Sequence, residues 1–177
     1  MAVEHDTLAP VVLKGAANVL IVISPYYGEI AEQLLTGAKQ AIAQAGASCE
    51  VVEVPGALEV PTAIKLAANS FDAFVALGCV VRGETTHYET VCNDSSRGLT
   101  LLGLEGLCIG NGILTVETMA QAEVRAEVAG QNKGGGAAEA ALHLLAIKRR
   151  FTKPAKGRIS PISEHILMAG EPDKGTA

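Results

Sequence analysis

At 177 residues the chain has the length of one domain, and a hydrophobic fraction of 49% is enough for one core. A formal net charge of -5 excludes the basic face by which phosphate backbones are bound, so no nucleic-acid partner is expected. Aromatic residues make up only 3% and Trp is absent, so Ala, Val, Leu and Ile must fill the interior.

Residues 1–15 show no clear periodicity and read as an N-terminal arm. Residues 1–10 lack the basic region and apolar stretch of a signal peptide. No apolar run is long enough to span a bilayer, so a soluble, cytoplasmic protein without a membrane partner is expected. Residues 18–24 (NVLIVIS) predict a short buried strand rich in Val and Ile. Residues 29–46 predict an amphipathic helix: Ile30, Leu34, Leu35, Ala38, Ala41, Ile42 and Ala45 recur at helical spacing, and Gly46 stops it. Residues 48–54 read as a second strand. After the Pro55-Gly56 turn, residues 59–70 read as a short helix with Pro61 in its first turn.

Residues 72–81 (DAFVALGCVV) predict a third buried strand, and residues 86–102 a helix. Residues 107–114 read as a fourth strand interrupted by Gly110-Asn111-Gly112. Residues 117–128 form a helix ended by Gly130. Residues 133–150 follow as an Ala- and Leu-rich helix with Leu142, Leu144, Leu145 and Ile147 on its apolar face. Strands that are apolar throughout need cover on both faces. Parallel strands joined by right-handed helical crossovers provide it, so the class is α/β, a three-layer αβα sandwich over residues 16–150. Lys153-Pro154, Gly157 and Ser160-Pro161 break periodicity in residues 151–177, which read as a C-terminal extension.

Cys49, Cys79, Cys92 and Cys108 form no C-x-x-C pair and fit no zinc spacing. The first, second and fourth lie in apolar, strand-like runs and read as buried, reduced thiols.

Ligands of open parallel sheets collect at the carboxyl ends of the strands, so the segments after each strand carry the chemistry. They are Pro25-Tyr26-Tyr27, residues 55–59 (PGALE), residues 82–87 (RGETTH) and Thr115. The third is the richest. Gly83 allows a tight path into a helix, and Thr85 and Thr86 bring hydroxyls to its N-terminus, where free N–H groups favour an anion. His87 follows in the first turn, which suits proton transfer beside a phosphate. The same residues also read as a plain threonine cap beside a solvated histidine, and spacing leaves both open. Tyr26-Tyr27 reads either as a surface turn or as a stacking platform. Glu59 reads as an ordinary first-turn acid, and Arg125 and Lys133 as a solvated face. Residues 132–136 (NKGGG) look like a phosphate loop without the spacing of one. His143 and His165 are expected to be structural or solvated. There is no G-x-G-x-x-G after the first strand, no nucleophile elbow and no metal-ligand cluster.

Five segments together resemble the lumazine synthase family: LLTGA (34–38), VPGALEVP (54–61), GCVVRGETTHYETVCN (78–93), NGILT (111–115), and a run comprising Gln121-Ala122, Arg125-Ala126 and Asn132-Lys133-Gly134. They stand in family order and spacing over about residues 17–150. The resemblance implies a flavodoxin-like fold with a four-stranded parallel sheet. It also implies condensation of 5-amino-6-(D-ribitylamino)uracil with 3,4-dihydroxy-2-butanone 4-phosphate, giving 6,7-dimethyl-8-ribityllumazine, phosphate and water, without metal or organic cofactor. By the same resemblance, His87 transfers the proton, Glu84 and Thr85 contact the phosphate, and Arg125 pairs with it while Lys133 stands near. Ala57, Leu58 and Glu59 hold the ribityl chain, Cys79, Val80 and Val81 read the uracil through backbone groups, and Tyr26 stacks on the ring. Asn111 departs from the family pattern, in which many members have Phe there, so Tyr26 is expected to carry more of the ring contact.

The resemblance further implies a homo-oligomer, a pentamer in which Asn111, Arg125 and Lys133 of one chain meet His87 of another. Some relatives join twelve pentamers into a capsid, and the short segment between Arg125 and Lys133 resembles theirs. Two competing readings are a module that binds riboflavin without turnover, favoured only by Asn111, and a structural shell protein.

Overall fold

A computed structural model describes residues 8–152. The proposed arm falls partly, and the extension almost wholly, outside the described residues, as does His165. The described residues form nine elements: β1 (Asn18–Ile23), α1 (Gly28–Gln44), β2 (Ser48–Glu53), α2 (Glu59–Leu66), β3 (Ala73–Val81), α3 (His87–Leu104), β4 (Ile109–Val116), α4 (Met119–Ala126) and α5 (Lys133–Phe151). The strands make one parallel sheet in the order β2-β1-β3-β4. Reversal of strand order between β1 and β3 opens a crevice at their carboxyl ends, as in flavodoxin-like folds.

The period of two along the central strands divides the core. Val19, Ile21 and Ile23 of β1, with Ala73, Val75 and Leu77 of β3, face α1, α4 and α5. Leu20, Val22, Phe74 and Ala76 face α2 and α3. The resulting three-layer α/β sandwich is the expected one. Leu34, Ile42, Ile64, Phe74 and Leu142 are almost wholly buried, and each such side chain contributes about 1.5–3 kcal/mol by leaving water. Residues 8–17 form no regular element, but Arg149 ties the end of this stretch down: its guanidinium donates to the carbonyls of Lys14 (3.1 Å), Gly15 (3.4 Å) and Ala16 (2.6 Å).

Four expectations need correction. β4 is not interrupted by its glycines and runs from Ile109 to Val116. A Cβ at position 110 would lie 1.8 Å from the Ala137 carbonyl oxygen, so glycine here admits α5 against the strand. β2 is an edge strand covered on one side only, with Val52 exposed and Cys49 half-buried, so Cys49 is not a core thiol. On α5, Leu142 and Leu145 are buried but Leu144 and Ile147 are 42% and 51% exposed, so the helix has an apolar side that the other described residues leave uncovered. Residues 67–70, read as the end of α2, form turns instead.

The glycine-rich residues 132–136 are a packing device. Asn132 is left-handed (φ 44°), and its Oδ1 accepts the Gly135 N–H at 3.1 Å, capping α5. A Cβ on Gly134 would come within 2.0 Å of the Leu34 carbonyl oxygen, so α1 and α5 touch backbone to backbone. Among the described residues no helix is long and apolar enough to cross a membrane.

Candidate active site

A hollow of about 420 Å³ lies at the carboxyl ends of β1, β2 and β3. That volume is within the range of pockets that take one small ring-bearing ligand. From β1 come Ser24, Tyr26 and Tyr27. Ser24 is buried, and its N–H donates to the Leu77 carbonyl at 3.0 Å, extending the ladder. Tyr26 is 75% exposed and meets Tyr27 edge to face with centroids 5.1 Å apart. An exposed ring braced by a second ring is a ready stacking surface.

From the end of β2 come Ala57, Leu58 and Glu59. Gly56 leaves room for the acid: a Cβ there would stand 2.9 Å from Glu59 Oε2. From β3 come buried Cys79 and half-buried Val80 and Val81. Burial pushes the Cys79 thiol up to about 11. Burial likewise raises the Tyr27 phenol, with Tyr26 and Cys79 adding to it. These groups stay protonated at neutral pH, so the part of the wall that Tyr27 and Cys79 form is uncharged.

The connection from β3 to α3 supplies Gly83 and Thr85, and α3 supplies His87, Tyr88 and Val91. His87 is exposed and opens the helix. Thr86 stands at the cap position, yet its hydroxyl makes no cap bond. Its carbonyl accepts the N–H groups of Glu89 (3.1 Å) and Thr90 (3.3 Å). The threonine-cap reading therefore fails at Thr86.

Arg82 leads this connection. Its guanidinium pairs with Glu89 in the first turn of α3 and, through Nε, with Glu117 at 2.7 Å. It also lies over the Tyr88 ring, 4.2 Å from the centroid. The hydrogen bond from Arg82 holds the Glu89 carboxyl below the usual carboxylate range.

A second hollow of about 450 Å³ runs along the free edge of β4 between α4 and α5. Asn111, Arg125 and Lys133 line it. Asn111 Oδ1 accepts the Ile113 N–H at 3.0 Å, which fixes the amide against its own strand. Arg125 is half-buried and donates through Nη1 to the Gln121 carbonyl at 2.9 Å. Thr118, whose Oγ1 accepts the Gln121 N–H at 3.3 Å, caps the helix that carries Arg125.

Of the residues singled out from sequence, Tyr26, Ala57, Leu58, Glu59, Cys79, Val80, Val81, Thr85 and His87 meet in the first hollow. Asn111, Arg125 and Lys133 meet in the second, and no residue lines both. Glu84 is exposed and lines neither. Ser24, Arg82, Tyr88 and Val91 have no role legible in the sequence, whereas Tyr27, open as a turn or a stacking residue, lines the hollow beside Tyr26. Val91 was within reach, because it stands four residues after His87 on the same helical face. Arg82 was not, because Glu117 lies far along the chain.

The family model described as 6,7-dimethyl-8-ribityllumazine synthase matches residues 16–149. A protein of that name from Jannaschia sp. (strain CCS1) is 57% identical over 139 residues, covering 77% of this chain and 78% of the relative. The one from Zymomonas mobilis subsp. mobilis is 52% identical over 138 residues, covering 77% and 99%. The one from Sphingopyxis alaskensis is 56% identical over 137 residues, covering 76% and 97%.

Proposed function

The chain belongs to the 6,7-dimethyl-8-ribityllumazine synthase family, and from that premise we propose how its own residues carry the reaction. It is a transferase of riboflavin biosynthesis. It condenses 5-amino-6-(D-ribitylamino)uracil with 3,4-dihydroxy-2-butanone 4-phosphate to 6,7-dimethyl-8-ribityllumazine, phosphate and water.

The uracil ring lies in the first hollow, against Tyr26 and the edge formed by Cys79, Val80 and Val81. The ribityl chain runs along Ala57, Leu58 and Glu59. The uncharged stretch of wall at Tyr27 and Cys79 supports this, since a neutral ring loses little on leaving water there. The phosphate of the second substrate sits at the start of α3, contacted by Thr85 and by the backbone of Glu84, whose carboxylate stays in solvent. Arg125 pairs with this phosphate in a charge-assisted contact, and Lys133 lowers the cost of gathering anions. The ring amine attacks the ketone, and a Schiff base forms with loss of water. Loss of a carbon-bound proton expels phosphate, and the second amine closes the ring with loss of another water. His87 moves the protons, and Arg125 stabilises the departing dianion.

The observation that carries this reading is the separation of the two hollows. His87 and Arg125 serve one phosphate, yet they line different hollows of a single chain. The reading therefore has the first hollow of one subunit meet the second of its neighbour. Such a head-to-tail contact closes into a ring, and we assign a homopentamer. The uncovered apolar side of α5 is in keeping with further association of subunits. Four free cysteines suit a reducing compartment, which supports a cytoplasmic location. Mixing the two substrates with the purified protein should produce the fluorescent lumazine, and sedimentation should give a pentamer or a multiple of it. A monomer active at full rate would overturn the shared-site reading.

A further inference from the structure

We propose that Arg82 is a positioning residue whose side chain staples the β3–α3 connection, holding Thr85 and His87 at the mouth of the first hollow. The inference rests on the reading of His87 as the proton-transfer group. Arg82 is attached at both ends. Its backbone N–H donates to the Val116 carbonyl at 2.9 Å, continuing the β3–β4 ladder. Its guanidinium then reaches past the connection to Glu89 and to the face of Tyr88. His87 and Thr85 lie between these two points of attachment. The third arm, from Nε to Glu117 at 2.7 Å, ties the same guanidinium to the residue after β4. One planar group thus joins the end of β3, the start of α3 and the end of β4.

The connection has few other restraints. Gly83 has open space around it, Glu84 is exposed, and Thr86 forms no side-chain cap. Tyr88 itself lines the hollow, so the stacked guanidinium also helps to set that wall. The two ion pairs are exposed and add little to stability. Their consequence is geometric: they limit how far His87 drifts from the reacting atoms, and drift of about an ångström is costly in rate. Arg, and not Lys, suits the place, because only a planar fork can serve two carboxylates and lie flat on a ring.

The test uses the assembled enzyme with both substrates. Arg82→Ala should keep its Tm and sedimentation while kcat falls about tenfold and KM for the butanone phosphate rises. Arg82→Lys should recover only part of the rate. Methylguanidinium, added well below denaturing concentrations, should restore part of the Arg82→Ala rate. Lys65→Ala removes another exposed ion pair, with Glu105 at 2.5 Å, away from the site, and should behave as wild type. Wild-type constants for Arg82→Ala would overturn the inference. So would a loss of rate in fully assembled Arg82→Ala that resists methylguanidinium. If Arg82→Ala does not assemble, Glu89→Gln cuts one arm alone. A drop in kcat there upholds the inference, and an unchanged kcat defeats it. His87→Ala, run alongside, separates the two failures. If it too is silent, the reading of the site falls; if only the Arg82 variants are silent, the staple alone falls.

Discussion

The two hollows are built by different means. The first stands where three parallel strands end, and Ser24, Ala57 and Cys79 in its wall are buried. The second runs along an edge strand, and its functional groups are an amide and two cations, of which only Arg125 is half-buried. One has the shape to hold a ring but no fixed cation in its lining. The other has cations but no enclosure. On the proposed reading, the difference makes each of them half of a site. A strand-end crevice comes with the fold, whereas a free sheet edge becomes a site only when something packs on it.

The largest expected effect is at His87. His87→Ala should lower kcat about 100-fold, since a positioned acid–base group contributes on that order. Residual turnover should remain, because holding two reactants together supplies much of the rate. An unchanged rate constant for lumazine formation would remove His87 from the mechanism. Next comes Arg125→Ala, expected to lower kcat/KM about 10- to 100-fold through loss of a charged hydrogen bond to phosphate. The two variants together probe the sharing of the site. Co-refolded in equal amounts, half of the first hollows keep His87 and half of the second keep Arg125. If neighbours share sites, about a quarter of them are intact, and about a quarter of wild-type activity should return. No recovery would mean that both hollows of one chain serve one site.

Much of this was legible from the sequence, and the gaps have physical causes. The central strands at 18–24 and 72–81 declare themselves because burial on both faces demands unbroken apolar runs. α1 does so because one buried stripe recurs at helical period. The continuity of β4 was hidden, because Gly110 and Gly112 break a strand in isolation but here admit Ala137 of α5. The exposed side of α5 was hidden too: Leu144 and Leu145 look alike in sequence, and only the sheet decides which is inside. For the site, the segments after the strands hold six of the nine proposed residues of the first hollow and the resemblance added Cys79, Val80 and Val81, while Arg82 went unassigned because its partner Glu117 follows a different strand. The family resemblance supplied roles that spacing alone left open, above all for Thr85 and His87.

Asn111 should have a smaller effect, and it sharpens the contrast between the hollows. Its amide is held by the Ile113 N–H and offers no ring face. Asn111→Phe should tighten binding of the lumazine product or riboflavin about 2- to 10-fold, the worth of one aromatic contact. Fluorescence quenching titration reads this directly. No change would mean that the ring never reaches the β4 edge.

The smallest effect expected lies at the closed end of the first hollow. Burial raises the Cys79 thiol to about 11, so the folded chain keeps a proton that the unfolded chain gives up from about pH 9. The contribution to stability is therefore complete below pH 9 and is lost as pH rises from 9 toward 11. The fall of Tm across this window should be shallower in Cys79→Ala than in wild type, whatever the absolute Tm of the variant. It should not vanish, because burial also raises Tyr27 and Cys108. Iodoacetamide at pH 7.5 should leave Cys79 unmodified, since only the thiolate reacts and the strand end covers it. Rapid alkylation there in the assembled protein would mean that the Cys79 thiol is open to solvent, and the uncharged wall assigned to the uracil would have to be abandoned.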